Sequence, residues 1–272
     1  MAPDDLPAAF AFEGVLDEIV YILGPAAVGI VAVTADARAA VIAAGVLVVV
    51  FASWFAVHPS HRRVPRRGEA AAVPATADAP RPSPGRRRLL VGLTFAGMLS
   101  MGVFLGGSQT GLTAFAGEQG IPDAGALLYA VMAVGSAVTT VSMVAVPASI
   151  GPWTRWSLAA AGMTGGAILM SMSTSVPAVV AAAVVAGAFQ GPLLLTVFSV
   201  AGSLAENGRA GAMMTFIASG VVVGLGIGSA VAGGLAESWG SGGAFAVVVG
   251  ASGLLLVMGL AAAAASRRRG AE

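Results

Sequence analysis

Residues 156–205 read WSLAAAGMTGGAILMSMSTSVPAVVAAAVVAGAFQGPLLLTVFSVAGSLA, fifty consecutive positions without a charged side chain. A helix needs about 20 apolar residues to cross the hydrocarbon of a bilayer, rising 1.5 Å per residue. The stretch is too long for one crossing and suits two. Ser173-Thr174-Ser175-Val176-Pro177 divides it, since small polar residues and proline favour a tight turn. The predicted spans are therefore Trp156–Thr174 and Pro177–Ala205.

The whole chain shares this character. Of its 272 residues 57% are hydrophobic and 10% charged, against roughly 25% charged in a soluble domain. So few charged groups cannot clothe a water-facing surface, and the apolar residues must face lipid. Cysteine is absent, which excludes a disulfide framework and thiolate metal sites. All basic residues are Arg, and with the Ala, Gly and Val load this suggests a GC-rich bacterial genome. Met1 to Val15 carries Asp4, Asp5 and Glu13 and no Arg, so it lacks the positive start of a secretory signal.

Outward from the central stretch, further spans fall at Val15–Thr34, Ala39–Val57, Leu89–Ala116, Ala124–Pro147, Ala210–Ala236 and Gly243–Ser266. The expected fold is an all-α integral membrane protein of eight transmembrane helices. Threading the chain through these spans sets Arg62, Arg63, Arg66, Arg67, Arg81, Arg86, Arg87, Arg88, Arg155, Arg209, Arg267, Arg268 and Arg269 on one side and Arg38 alone on the other. Positive residues collect in cytoplasmic loops, so both termini are expected in the cytoplasm, with the chain in a bacterial inner (plasma) membrane. Residues 58–88, rich in Arg and Pro, read as a cytoplasmic linker between 1–57 and a bundle over 89–266, with a short cytoplasmic tail at 267–272. That linker suits anionic lipid heads, at about 1 kcal/mol per Arg near the surface. His58 and His61 lack the partners of a metal site, and nucleic-acid binding has no support beyond this loop.

A faint repeat runs through the spans. Gly24-Pro25-Ala26-Ala27-Val28-Gly29 stands 204 residues before Gly228-Ser229-Ala230-Val231-Ala232-Gly233, and Ala39–Val41 keeps the same offset from Gly243–Phe245. The first two helices thus match the last two of a six-helix unit that begins near Leu89. On that register the partner unit would begin about 115 residues before Met1, room for four more helices.

Twelve helices in two six-helix halves around a basic central loop resemble the major facilitator superfamily, whose halves are parallel repeats. Phe12-Glu13-Gly14-Val15-Leu16-Asp17-Glu18 with Gly24-Pro25 resembles the fifth helix of actinobacterial drug or sugar efflux members. Gly106-Gly107-Ser108-Gln109 with Ala116-Gly117-Glu118-Gln119-Gly120 resembles their seventh helix and the loop after it, and Gly208-Arg209-Ala210-Gly211 through Gly233-Gly234 their eleventh. Gly24-Pro25 partly matches the Gly-Pro-x-x-Gly-Gly antiporter motif, with Val28 at the first of the paired glycines. The resemblance implies the C-terminal two-thirds of a twelve-helix transporter and proton-coupled efflux of a small molecule by alternating access.

Asp17 and Glu18 are the sharpest chemical signal, inside an apolar span, with Glu13 one helical turn earlier. Carboxylates in a bilayer cost several kcal/mol and face a cavity or a partner. Desolvation favours their protonated form, which suits proton coupling. The bland alternatives are a helix-dipole complement or an Arg partner on another helix. Gln109, Thr110 and Gln190 are candidate ligand contacts, Tyr129 more readily an interhelical hydrogen bond. Gly106–Gly111 suits a locally unwound helix lining a cavity. Gly220, Gly224 and Gly228 recur every fourth residue, as do Gly187 with Gly191 and Gly102 with Gly106; these spacings predict packing seams. Gly24, Pro25 and Gly29 join them as packing or hinge positions.

No cofactor motif is present. Gly250-Ala251-Ser252-Gly253 has the form of an intramembrane serine protease motif, but no His follows His61 to act as its base, so an enzyme is the weaker reading. The other alternative is a truncated bundle with no transport of its own.

Overall fold

Proline and small residues punctuate the chain as they do in water-soluble helical proteins. Pro84, Pro152 and Pro177 each stand in the first helical turn, where the missing N–H costs nothing and φ is already helical. The computed structural model describes residues 20, 23–24, 26–32, 34–59, 83–143, 146, 150–205 and 210–267. Within them lie α1 (Ala37–Val57), α2 (Pro84–Glu118), α3 (Gly125–Ser142), α4 (Pro152–Ser171), α5 (Val176–Leu204) and α6 (Ala210–Arg267), and no strand. The described positions between 20 and 34 are helical as well.

Five helical stretches are long and apolar enough to cross a membrane: Arg38–Val57, Pro84–Glu118, Pro122–Thr140, Val176–Leu204 and Gly211–Ser266. The expectation of eight spans is thus met only in part, and the segment before residue 34 is only partly described. Helix α4 has the length, but Thr154, Arg155, Ser157, Thr164 and Ser171 lower its hydropathy. The last stretch is counted once, although at 1.5 Å per residue its 56 residues far exceed one bilayer thickness.

Gly240 resolves that excess. Its φ of 63° and ψ of −159° break the helix, a conformation open to glycine because it has no Cβ. We call residues 210–239 the first arm of α6 and 241–267 the second. A side chain at Gly243 would strike the Leu235 carbonyl and the Trp239 side chain, so the arms fold back on each other at the break. The earlier helix pair is interrupted at Asp36, whose extended backbone precedes α1. Asp36 and Gly240 stand 204 residues apart, so the two breaks keep the register of the sequence repeat.

Helix α2 is the axis of the bundle. Both arms of α6 pack along it, while α3 packs on α5, and α4 on α5 and α6. The core between them includes Met98, Phe104, Leu112, Met132, Met163, Leu193, Ile217, Phe245 and Leu255. Trp156 is fully buried and donates its Nε1–H to the Leu255 carbonyl at 2.9 Å. Its ring occupies the space that a Cβ would need at both Gly97 and Gly259. One indole thus ties α4 to α2 and to the second arm.

Among the described residues the two ends of the bundle differ in charge. At one end Arg86 Nη2 donates to the Ser266 carbonyl at 2.6 Å and Arg87 Nε to the Leu204 carbonyl at 2.8 Å. Both carbonyls belong to helix C-termini, where orphan acceptors and the negative dipole end favour a cation. Trp153, on the first turn of α4, packs with Leu90 and Leu204 at this end, which brings Arg155 to it as well. The opposite end holds Glu118, Asp123 in the 3-10 turn Pro122–Ala124, and Glu237 beside the Gly240 break.

Candidate functional site

The closest helix contacts are built from glycine. Gly102 and Gly106 on α2 face Gly224 and Gly228 on the first arm of α6. A methyl group at Gly224 would collide with the Leu99 carbonyl, and one at Gly228 with that of Val103. In return, Gly102 lies against the Val221 carbonyl and Gly106 against that of Leu225. Gly220 is looser: a methyl group there would stand 3.3 Å from its nearest neighbours. A second seam joins α5 to α3, with Gly187 against the Met132 carbonyl and Gly191 against the hydroxyls of Ser136 and Thr140. Lipid tails supply no hydrophobic drive between helices, so close backbone approach of this kind carries the association.

Beside the second seam the polar groups are under-satisfied. Gln190 is 6% exposed, and its Oε1 is buried with no hydrogen-bond partner. Two residues on, Pro192 stands inside the helix and has no N–H to offer the carbonyl one turn back. Thr196 returns its hydroxyl to the Pro192 carbonyl at 2.7 Å. On α2, the Ser108 hydroxyl is likewise buried and unpartnered. An unmade buried bond costs about 1–3 kcal/mol, and with Arg86 Nε also buried and unpartnered the described residues carry three, so the bundle is not optimised for this one arrangement.

Among the described residues, the candidates Gln109, Thr110 and Gln190 do not gather into one cluster. Glu13, Asp17, Glu18 and Pro25 lie outside the described residues. Gln109 is exposed and Thr110 half-buried, while Tyr129 is buried in the core. Arg87 sits level with Leu204, and α2 and α5 run in opposite directions, so Gln190 lies level with residues near Met101. Gln109 is then about 12 Å further along the axis. A side chain at Gly24 would meet nothing within 4 Å, whereas Gly29 presses against Leu127 of α3. The stretch Gly106–Gly111 is regular helix, not unwound: its glycines admit Leu225, Val248 and Phe245 at close range.

One pairing lies beyond the reach of the sequence motifs. Glu118, the last residue of α2, caps the start of the second arm, accepting from the Ser241 N–H and the Ser241 hydroxyl, both at 2.6 Å. Gly240 has no side chain with which to cap its own helix. At the equivalent break Asp36 does it locally, accepting from the Ala39 N–H at 2.7 Å. The signal was a Gly at an N-cap position, which obliges the cap to come from elsewhere. Ser252 of the protease-like motif is fully buried and spends its hydroxyl on the Val248 and Val249 carbonyls of its own helix. Among the described residues no three His, Asp or Glu side chains are placed to hold a metal.

No protein-family profile, curated protein or solved structure matches the chain.

Proposed function

We propose that the chain is a membrane transporter of the major facilitator type. On this reading it crosses a bacterial inner membrane eight times, with both termini in the cytoplasm, and moves a small molecule in exchange for protons. The observation that carries the reading is the pair of helix breaks at Asp36 and Gly240, 204 residues apart, each followed at once by a long apolar helix. Two copies of one helix–turn–helix unit in register support a molecule made of repeated halves. The orphan oxygens of Gln190 and Ser108 support a bundle that works in more than one packing. Asp17 and Glu18 are the proposed proton carriers, and Gln109, Thr110 and Gln190 the proposed substrate contacts.

The test is reconstitution of the chain in vesicles under an imposed pH gradient, with a panel of amphipathic drugs and sugars. Proton-driven flux that vanishes in Asp17→Asn or Glu18→Gln supports the assignment; flux unchanged by both rejects it. Gln190→Leu should leave stability equal or raised, because an unmade hydrogen bond is removed, while lowering flux.

A second reading rests on α1. Its outer surface has no described partner, which favours a bundle inactive by itself and completed by further helices. In-frame codons for about 115 apolar-rich residues upstream of Met1 would support completion within one polypeptide. Absence of flux from the chain alone, restored on adding those residues, separates the two readings.

A further inference from the structure

Where a Cβ added to a glycine would strike main-chain atoms of a neighbour, two helix backbones touch. Sorted by partner, the described glycines divide the bundle in two. Gly102, Gly106, Gly224 and Gly228 join α2 to the first arm of α6 backbone to backbone. The second arm is held to α2 at Gly107 and Gly111 and by the Glu118 cap. Gly135, Gly187 and Gly191 join α3 to α5 through main-chain contacts, and Gly166 joins α4 to the Ala186 backbone of α5. Between these two groups, the one described glycine that meets main chain is Gly125, against Thr113 beside the turn that links α2 to α3. Gly97 and Gly259 meet the Trp156 ring instead, and Gly202 the terminal methyl of Met214.

We propose that the bundle is built as two rigid three-helix bodies, α2 with the two arms of α6 and α3 with α4 and α5, which turn against each other about Trp156. The inference concerns the bundle itself and does not depend on transport. Helix α4 shows the contrast on two of its faces. Gly162 and Gly166 meet α5. Trp156, Met163 and Met170, two turns apart in succession, share another face and are fully buried. On α2, Met101 and Ser108 lie one and three turns past Gly97, on the face that receives Trp156. The surface between the bodies therefore carries one large ring and several methionines. Methionine has three rotatable bonds and refits as its neighbours move, whereas backbone contacts have no side chain to adjust. Sliding of packed helices over such a surface is a known mode of motion. The Trp156–Leu255 and Arg87–Leu204 bonds cross between the bodies, both in the arginine half of the molecule, so the opposite end travels furthest. Ser108, whose hydroxyl has no partner in this arrangement, stands on the moving surface, where a turn changes what it faces.

The experiment is pulsed electron–electron distance measurement between pairs of nitroxide labels on the full chain in vesicles. There is no native cysteine, and the five positions used, 158, 172, 231, 254 and 260, are exposed. Met172, at the far end of α4, lies about 24 Å beyond Trp156, where a turn of about 10° moves a label by about 4 Å. Met172→Cys with Val231→Cys on the first arm spans the two bodies and should give two populations about 4 Å apart. Val231→Cys with Leu254→Cys, within one body, should give one narrow distance. Leu158→Cys with Leu260→Cys spans the bodies close to Trp156 and should also be narrow; Trp156→Phe, which loses the bond to Leu255, should broaden it. Met163→Leu with Met170→Leu conserves volume, so the fold is kept, and should merge the two populations of the 172–231 pair into one. A single distance for that pair, as narrow as the 231–254 pair, would overturn the proposal. Equal broadening of the two pairs would do so as well, because the bodies would then not be rigid.

Discussion

Helix α1 and the second arm of α6 each follow a helix break, 204 residues apart in the chain, yet their surroundings are opposite. Both begin one residue after a break, and both are strongly apolar. Along the arm, Phe245, Val248, Leu255 and Ala262 are buried against α2 and α4. Among the described residues of α1 only Ala40 is buried, while Val46 through Phe51 are each more than half exposed. The difference teaches that apolar composition makes a membrane helix, whereas glycine spacing decides whether another helix can approach it. The arm and its partners are notched by Gly97, Gly111 and Gly259, each shaped around an aromatic ring. Helix α1 carries a single glycine, Gly45, and it faces open space.

Truncating one tryptophan in each helix neighbourhood should give the widest contrast. Trp156→Ala removes a ring enclosed by two glycine notches and a bond to Leu255, and should cost about 3–5 kcal/mol. Trp54→Ala on α1, 61% exposed, should change stability by less than about 0.5 kcal/mol. Thermal unfolding in one detergent reads both; equal losses would break the distinction between packed and unpacked helices.

Filling a glycine comes next in size. Gly224→Val forces a side chain into the Leu99 carbonyl and should cost about 1–3 kcal/mol, while Gly45→Val should be tolerated. The smallest contrast concerns the caps. Glu118→Ala and Asp36→Ala each remove a carboxylate from a helix start, worth about 0.5–2 kcal/mol. Loss of Glu118 should also loosen the end of α2 from the Gly240 break, since its bond joins two elements. Hydrogen exchange should then rise at Ser241 and at Gly117 in the first variant, but only near Ala39 in the second.

How much of this is legible in the sequence differs by scale. The turn between α4 and α5 is readable from Ser173 to Pro177, and the structure ends α4 at Ser171 and starts α5 at Val176. The glycine spacings are readable because lipid leaves few other ways for helices to meet. Their pairing is not, since nothing in the spacing of Gly102 and Gly106 says that Gly224 and Gly228 will face them. The Gly-rich stretch after Leu105 suggests an unwound helix because glycine weakens helices in water; in the bundle Gly106 instead admits the Leu225 carbonyl, and Gly107 and Gly111 the side chains of Val248 and Phe245. Arg86 and Arg87 look like lipid-facing charge in the sequence, and their roles as C-terminal caps depend on long-range contacts that local pattern does not carry. The carboxylates Glu13, Asp17 and Glu18 fall outside the described residues, so the proposed proton site rests on sequence alone.

The central claim is that these helices thread a bilayer with the arginine end on one face and the Glu118–Gly240 end on the other. The chain has no native cysteine, so single cysteines report without background. Arg88→Cys and Gln119→Cys sit at opposite ends of α2, and both positions are exposed. In sealed vesicles of cellular orientation, a membrane-impermeant maleimide should label position 119 at once and position 88 only after permeabilisation. Immediate labelling of both would contradict the account.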